Sequence, residues 1–315
     1  MRVLVTGGAG FIGSHLVEGL LRRGYEVRVA DDLSTGSLSN LDPVRDRIEF
    51  LQVDLADLDQ ARLAVRGVDA VLHEAAIPSV FRSVQDPIGS NKANIDGTLN
   101  TLVASRDEGV KRFVYASSSA AYGPGPELPK VETLPPDPIS PYAIGKLTGE
   151  FYCQAFYRLY GLPTICLRYF NVFGPRQDPD SEYAAVIPKF ITRLLKGERP
   201  VIYGDGEQSR DFTYVDNVVH ANILALEAGK GFGEMMNAAC GERFTLNELF
   251  RRLCEIIGAD CEPVYEPERP GDVKHSHADI SKARSLLGYE PLVSFEEGLR
   301  RTVAYFRSAM EASRP

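Results

Sequence analysis

The stretch Gly7-Gly8-Ala9-Gly10-Phe11-Ile12-Gly13 constrains this chain's fold more tightly than any other. It follows directly on Arg2-Val3-Leu4-Val5-Thr6, a short β-branched run that reads as a buried strand. Beyond it, Ser14 to Arg23 carries apolar residues at helical spacing and stops at Gly24. Gly8, Gly10 and Gly13 satisfy G-x-G-x-x-G, and Gly7, Gly10 and Gly13 satisfy the variant G-x-x-G-x-x-G. Glycine at these places permits a tight turn, close approach of backbone to a pyrophosphate, and packing of helix on strand. The helix N-terminus adds free N–H donors and positive potential. A glycine triplet alone says little. Between a strand and a helix it predicts a dinucleotide site built from Gly7, Gly10, Phe11, Ile12 and Gly13.

The next run, Glu26 to Ala30, ends at Asp31-Asp32. An acid about 20 residues past the glycines accepts hydrogen bonds from the ribose hydroxyls of NAD and repels the 2′-phosphate of NADP. No arginine or lysine follows Asp31 until Arg45, so NAD is the expected cofactor. Asp32 also suits a turn. A third run, 48–53, ends at Asp54-Leu55, which would touch adenine.

Strands fit at 2–5, 26–30, 48–53, 69–72, 112–116 and 163–168, and helices at 11–23, 57–66, 88–108 and 141–160. This alternation predicts an α/β fold: a Rossmann-type doubly wound parallel sheet with a smaller mixed α/β substrate-binding lobe. Beyond residue 170 prolines and glycines become frequent and the alternation is lost. The cofactor domain is therefore placed at 1–168, with 212–230 returning to it as one more covering helix. The lobe takes 169–211 and 231–315. Active sites of such sheets lie at the carboxyl ends of the strands. His73-Glu-Ala-Ala76, Ala116-Ser-Ser-Ser119 and Arg168-Tyr-Phe-Asn171 all fall there.

Composition removes several function classes. A chain of 315 residues, 44% hydrophobic, suits a soluble globular enzyme. No run approaches the roughly 18 apolar residues of a membrane span. The first strand begins at residue 2, so no signal peptide is expected. Five cysteines without C-x-x-C spacing read as reduced thiols of a cytoplasmic protein. A net charge of −8 argues against a nucleic-acid partner, so an anionic ligand needs local basic residues. No metal-ligand spacing and no Ser-His-Asp arrangement is visible. His73 reads as packing beside the cofactor domain, and His275 and His277 as exposed.

Tyr142-Ala-Ile-Gly-Lys146 carries the chemistry. Four residues apart on a helix, Tyr142 and Lys146 share a face. A free tyrosine, with a pKa of about 10, is a poor base at neutral pH. A neighbouring ammonium lowers that pKa and lets the phenol take a proton from an alcohol. Ser117-Ser118-Ser119 ends a buried strand upstream, where a hydroxyl could share a substrate hydroxyl with Tyr142 or merely cap the turn.

These features together resemble the extended short-chain dehydrogenase/reductases, specifically the UDP-hexose 4-epimerases (UDP-glucose and UDP-N-acetylglucosamine 4-epimerases). The resemblance covers nearly the whole chain. It rests on the glycine loop, His73-Glu-Ala-Ala76, Ser118-Ser-Ala-Ala-Tyr122-Gly, Ser140-Pro-Tyr142-Ala-Ile-Gly-Lys146, Leu167-Arg-Tyr-Phe-Asn171-Val-Phe-Gly-Pro175, Ser209-Arg210-Asp-Phe-Thr-Tyr-Val and Arg269-Pro-Gly-Asp272. It implies that Ser118, Tyr142 and Lys146 are catalytic. It places Ala75, Ala76, Asn94 and Tyr169 beside the cofactor, where Tyr142 and Lys146 also reach. It implies that Asn171, Arg210 and Arg269 hold a diphosphate, that Asp272 meets the uridine ribose and that Tyr203 stacks on uracil. Guanidinium groups would give a net-acidic protein its anion contacts. The implied reaction inverts C4 through a transient 4-keto sugar with tightly bound NAD. The family also implies a homodimer through 88–108 and 141–160.

Two departures refine the implied substrate. Ser119-Ala120-Ala121 follows Ser118 where the sugar-nucleotide 4,6-dehydratases place an Asp-Glu pair, so water elimination is not expected. Seven residues past Arg269 stands Ser276, where epimerases restricted to UDP-glucose and UDP-galactose resemble this pattern with a tyrosine. Ser79 and the run Tyr183-Ala-Ala-Val186-Ile-Pro-Lys189 resemble the subgroup acting on N-acetylhexosamines. The expectation is UDP-GlcNAc/UDP-GalNAc turnover, with UDP-Glc/UDP-Gal as well. The alternatives are UDP-Glc/UDP-Gal alone, a UDP-glucuronate 4-epimerase or decarboxylase, and a non-catalytic NAD-binding sensor. A sensor has no need of Ser118, Tyr142 and Lys146 together.

Overall fold

A computed structural model describes residues 1–179, 185–268 and 274–312. The apolar runs form a seven-stranded parallel sheet: β1 (Arg2–Thr6), β2 (Glu26–Asp31), β3 (Ile48–Gln52), β4 (Ala70–His73), β5 (Arg112–Ser118), β6 (Thr164–Tyr169) and β7 (Glu234–Ala238). The order across it is β7-β6-β5-β4-β1-β2-β3. Chain direction across the sheet reverses beside β1, which pairs with β2 on one side and β4 on the other. That is the switch point at which open α/β sheets bind ligands. Both faces are covered, so the central strands are apolar along their length.

The helices, in chain order, are α1 (Phe11–Arg22), α2 (Leu58–Val65), α3 (Val80–Gln85), α4 (Pro87–Asn91), α5 (Gly97–Glu108), α6 (Pro141–Tyr160), α7 (Val186–Leu195), α8 (Val215–Glu227), α9 (Leu246–Ile257), α10 (Ser281–Leu287) and α11 (Phe295–Ala312). On one face of the sheet Leu16 and Leu20 of α1 pack with Val218, Val219 and Ile223 of α8. On the other, Ala61 of α2, Leu102 of α5 and Cys153 and Phe156 of α6 share a second core.

The single helix expected at 88–108 is α4 and α5 joined by a π-helical turn, Lys92–Asp96. Its cause lies in Asn94, whose amide oxygen accepts from the Ile77 N–H at 2.7 Å while its amide nitrogen donates to the Ile77 carbonyl at 3.3 Å. Such local widening of a helix is a common way to present a side chain at a functional site.

Past β6 the lobe is made of short pieces. Val172–Phe173 pairs with Thr213–Tyr214, Val201–Tyr203 with Val264–Glu266, and Ser209–Arg210 with Phe244–Thr245. Helices α7, α9 and α11 close over a core that includes Phe173, Phe190, Phe212 and Phe295. Two segments depart from the sequence reading. Residues 234–238 fall within the span 231–315 assigned to the lobe, yet they form β7 and pair with β6. The segment Glu234-Met-Met-Asn-Ala238 has no β-branched residue, which hid it. The short α3 was not expected; its start is fixed by Ser79, whose hydroxyl accepts from the Arg82 N–H.

Candidate active site

Gly7 ends β1 at a φ of +64°, and a Cβ there would lie 2.8 Å from the Ala75 backbone. A Cβ on Gly13 would lie 2.2 Å from the Gly7 carbonyl oxygen. Both positions need glycine, and the loop closes on itself and on Glu74-Ala75 after β4. No side chain caps the start of α1, whose N-cap is Gly10. The first-turn amides of Phe11, Ile12 and Gly13 thus form an anion cradle. At the end of β2 buried Asp31 accepts from the Ala9 N–H at 2.9 Å and the Leu33 N–H at 2.8 Å, bracing the loop. Burial raises its pKa and the two N–H donors oppose the rise. These features fit the pyrophosphate and ribose of NAD. Asp32 takes the turn role, accepting from the Ser34 N–H. Asp54 accepts from the Ala56 N–H and lies 3.4 Å from Lys92 Nζ, while Leu55 is buried in the core over α2 and α5. Ala75 donates its N–H to Thr6 Oγ1.

Ser118 is the last residue of β5, and Tyr142 the second of α6. Pro141 at the helix start and Ser140, whose hydroxyl accepts from the Ala143 N–H, fix where α6 begins. The Ser118 side chain acts on the Tyr142 phenol across the start of α6, and its hydroxyl also accepts from the Ala120 N–H at 3.2 Å. One turn on, buried Lys146 donates from Nζ to the Ala116 carbonyl at 2.8 Å, with its charge 5.3 Å from the Tyr115 ring centre. A second turn on, fully buried Glu150 accepts two bonds from Arg168, each 2.7 Å, and one from Ser117. Gly149 leaves room for this packing, since a Cβ there would lie 2.2 Å from the Tyr115 hydroxyl. Helix α6 therefore meets the sheet through Tyr142, Lys146 and Glu150 on one face.

The electrostatics correct one expectation. Burial pushes the Tyr142 phenol above its ordinary range, the Ser118 hydrogen bond opposes this, and Glu74 adds to it. Lys146 is not among the groups that shift the phenol, and its ammonium donates to the Ala116 carbonyl. Burial pulls Lys146 down to about 8, against the raising field of Glu74. His73 bridges Thr6 and Thr98 through its two ring nitrogens, and burial lowers its pKa to about 3. It is a neutral clamp, as its packing role requires. His275 and His277 are half-buried and hydrogen-bonded, to Ser209 and to the Gly241 carbonyl.

A cleft of about 530 Å³ opens in the lobe, lined among others by Asn171, Val186, Lys189, Tyr203 and Arg210. Five residues expected to bind substrate, scattered over 171–210 in sequence, meet there. Asn171, at a φ of +34°, donates to the Asp211 carbonyl. Arg210 donates to the Ser209 and Lys274 carbonyls. Ser276 donates its N–H to the Ser209 carbonyl, which sets it beside the segment that carries Arg210. Ser119 opens the short 3-10 turn after β5, next to Ser118. Arg269 and Asp272 lie outside the described residues, as do Tyr183 and Ala184. Sequence reasoning missed Glu150 and Arg168, although a third residue at the spacing of Tyr142 and Lys146 was there to be read. It also missed Glu74, whose signal was a charged residue inside the apolar stretch His73-Glu-Ala-Ala76. Among the described residues no His, Cys, Asp or Glu cluster could hold a metal ion, and no helix is long and apolar enough to cross a membrane.

Comparison with known proteins agrees with this geometry. Residues 3–239 match the model of the NAD dependent epimerase/dehydratase family. A putative UDP-glucose 4-epimerase of Methanocaldococcus jannaschii is 41% identical over 308 residues, spanning 97% of this chain and 98% of that protein. The crystal structure of UDP-glucose 4-epimerase with UDP-glucose from Thermotoga maritima superimposes with a TM-score of 0.93 at 46% identity, covering 98% of this chain and 100% of that one. The UDP-N-acetylglucosamine 4-epimerase of Methanobrevibacter ruminantium, in complex with UDP-N-acetylmuramic acid, gives a TM-score of 0.94 at 45% identity, covering 98% and 99%. With its dinucleotide cradle, its Ser118–Tyr142 pair and these relatives, the chain belongs to the NAD-dependent epimerase/dehydratase family of enzymes.

Proposed function

We propose that this protein inverts C4 of a UDP-linked hexose. The observation that carries the reading is the placement of Ser118, the last residue of β5, with Tyr142 and Lys146 one turn apart on the facing side of α6, at the carboxyl edge of the sheet. The lobe cleft holding Arg210 and Tyr203 adds to it. The similar proteins named for UDP-glucose and UDP-N-acetylglucosamine epimerisation support the same chemistry. The glycine loop, Asp31 and the Ala75-Ala76 segment would hold NAD, which supplies reversible hydride acceptance at C4. Tyr142 takes the proton of the 4-hydroxyl as general base and returns it as general acid. Ser118 shares that hydroxyl and orients it. Lys146, fixed by the Ala116 carbonyl one turn beyond the phenol, would hold the nicotinamide ribose. Asn171 and Arg210, with Arg269, grip the diphosphate, Tyr203 stacks on uracil and Asp272 takes the uridine ribose. The sugar itself is held weakly, so it can present either face.

The substrate we favour is UDP-GlcNAc/UDP-GalNAc, with UDP-Glc/UDP-Gal also turned over. Ser276 is small enough to admit an acetamido group, and Ser79 resembles the residue found in the subgroup acting on N-acetylhexosamines. Ala120 and Ala121 after Ser119 offer no acid for water elimination. The spectrum of extract from denatured protein should show NAD(H), and initial rates on the four UDP-sugars should rank them. Loss of NAD(H), or no turnover of any of the four, overturns the reading.

The protein works as a homodimer through α4–α5 and α6. Ile144 and Phe151, two turns apart on α6, are 48% and 53% exposed, and Ile88 is 82% exposed. Phe151→Glu should convert a dimer to monomers in light scattering coupled to size exclusion.

A further inference from the structure

One carboxyl at the sheet's carboxyl edge has no part in the chemistry described so far. Glu74 follows β4 directly, its N–H donating to the Thr6 carbonyl at 3.2 Å beside the glycine loop. The Tyr169 hydroxyl, at the end of β6, donates to Glu74 Oε1 at 2.7 Å. Asn222 of α8 donates to that same hydroxyl at 2.7 Å, and is itself held by the Val218 carbonyl. A chain of three side chains from three elements thus aims a carboxyl between β4 and β6. Such a chain fixes the direction of each bond, because Asn222 can only donate to Tyr169 and Tyr169 then donates onward.

Glu74 faces few other groups. His73 pairs with Tyr115 across β4 and β5, so Glu74, the next residue, stands level with Ala116, whose carbonyl holds the Lys146 ammonium; Tyr169 meets it from β6. His73 of β4 is neutral, and Thr6 of β1 carries no charge. Lys146 spends its hydrogen bond on a neutral carbonyl. Its ammonium is otherwise a buried charge without a carboxylate bond, an arrangement that is costly unless an opposite charge stands near.

We propose that Glu74 is a positioning residue for the reaction: its carboxyl, aimed by Tyr169 and Asn222, is the counter-charge to the Lys146 ammonium that stands one turn beyond Tyr142 on α6. This rests on the reading of Tyr142 as the general base. The carboxylate raises both the Lys146 ammonium and the Tyr142 phenol, so it holds the pair protonated in the resting site. Burial pushes Glu74 itself up to about 7, against the Tyr169 hydrogen bond and Lys146. Its charge therefore appears as the pH rises through neutrality, and the pair is tuned only above that point.

The test is Glu74→Gln, which keeps the shape and removes the charge. In wild type and variant, the absorbance titration of phenolate, minus that of the matching Tyr142→Phe protein, isolates Tyr142. Its midpoint should fall in the variant by on the order of one pH unit. The ratio of variant to wild-type kcat should be constant below about pH 6, rise through pH 7, and fall again at alkaline pH as Lys146 loses its proton early. If the Tyr142 midpoint stays put and kcat drops by one factor at every pH, Glu74 only packs against Tyr169 and the proposal is overturned. Should Glu74→Gln fail to fold, Tyr169→Phe carries the test. It removes the bond that favours the carboxylate, so the onset of the pH effect should move to higher pH, and an unmoved profile overturns the proposal. The phenolate titration needs no turnover, so it still reads Glu74 if the epimerase reading itself fails.

Discussion

The face of α6 and the cleft of the lobe solve opposite problems. On α6, Lys146, Glu150 and their partner Arg168 are almost fully buried, 4%, 0% and 1% exposed. Each spends its charge on a fixed partner at 2.7 to 2.8 Å. In the cleft, Asn171, Lys189, Tyr203 and Arg210 are half-buried, and Tyr203 and Arg210 stand on strands of three and two residues. A proton moves only across a hydrogen-bond distance, so the reacting groups need a rigid mount. A diphosphate and a base are held by many contacts, none of which must be exact. The difference predicts concentrated losses on the helix and distributed ones in the cleft.

The largest effect should come from Tyr142→Phe. Losing the general acid–base should lower kcat by about 10²–10⁴-fold while UDP binding stays near wild type. Steady-state rates with calorimetric titration of UDP check both halves. Equal loss of rate and UDP affinity would break the division between helix and cleft.

Next is Glu150→Ala, which strands the Arg168 guanidinium in the core. Removing one partner of a buried pair costs about 3–5 kcal/mol, read as a shift of the urea midpoint. The double variant Glu150→Leu with Arg168→Leu should recover much of that stability. It should not recover rate, because the pair ties α6 to β5 and β6 one turn beyond Lys146. Arg168 also stacks on Tyr122, 4.4 Å from the ring centre, which couples the pair to the turn after Ser118.

That same contrast explains what could be read from sequence. Helix α6 was legible to its ends, because Ser140-Pro141 and Gly161 are strong caps and the 3.6 period runs unbroken between them. The first six strands were legible because buried parallel strands are apolar throughout. β7 was not: it exists because β6 offers an open edge, not because Met235-Met236-Asn237 favours extension. The π-helical turn at Lys92–Asp96 was equally hidden, since it answers the Ile77 backbone across the fold. In the site, the glycine loop and the Tyr142–Lys146 spacing are local patterns and were visible. The links from Glu74 to Tyr169 and Asn222, and from Glu150 to Arg168, join residues 95, 53 and 18 apart and carry no local mark.

In the cleft, Arg210→Ala should act mainly on KM. Loss of a charge-assisted contact to a diphosphate is worth about 1.5–3 kcal/mol, or roughly 10–100-fold in KM with little change in kcat. A fall in kcat as large as that of Tyr142→Phe would mean that the cleft, too, holds the reacting geometry.

The smallest change is Ser276→Tyr, and it is the one that asks what the loose grip is for. Ser276 is tied to the Ser209 carbonyl through its backbone, so its side chain is free to change without breaking that bond. On the proposed reading, a phenol there adds bulk where the sugar turns over. UDP-glucose should fit beside it, and an acetamido sugar should clash. Hydrophobic and steric discrimination of this kind is worth about 10–200-fold. The expected result is a fall of about 10-fold or more in the ratio of UDP-GlcNAc to UDP-glucose kcat/KM, with the UDP-glucose rate near wild type. If acetamido turnover is unchanged, Ser276 only packs, and the sugar is not selected from the lobe at this position.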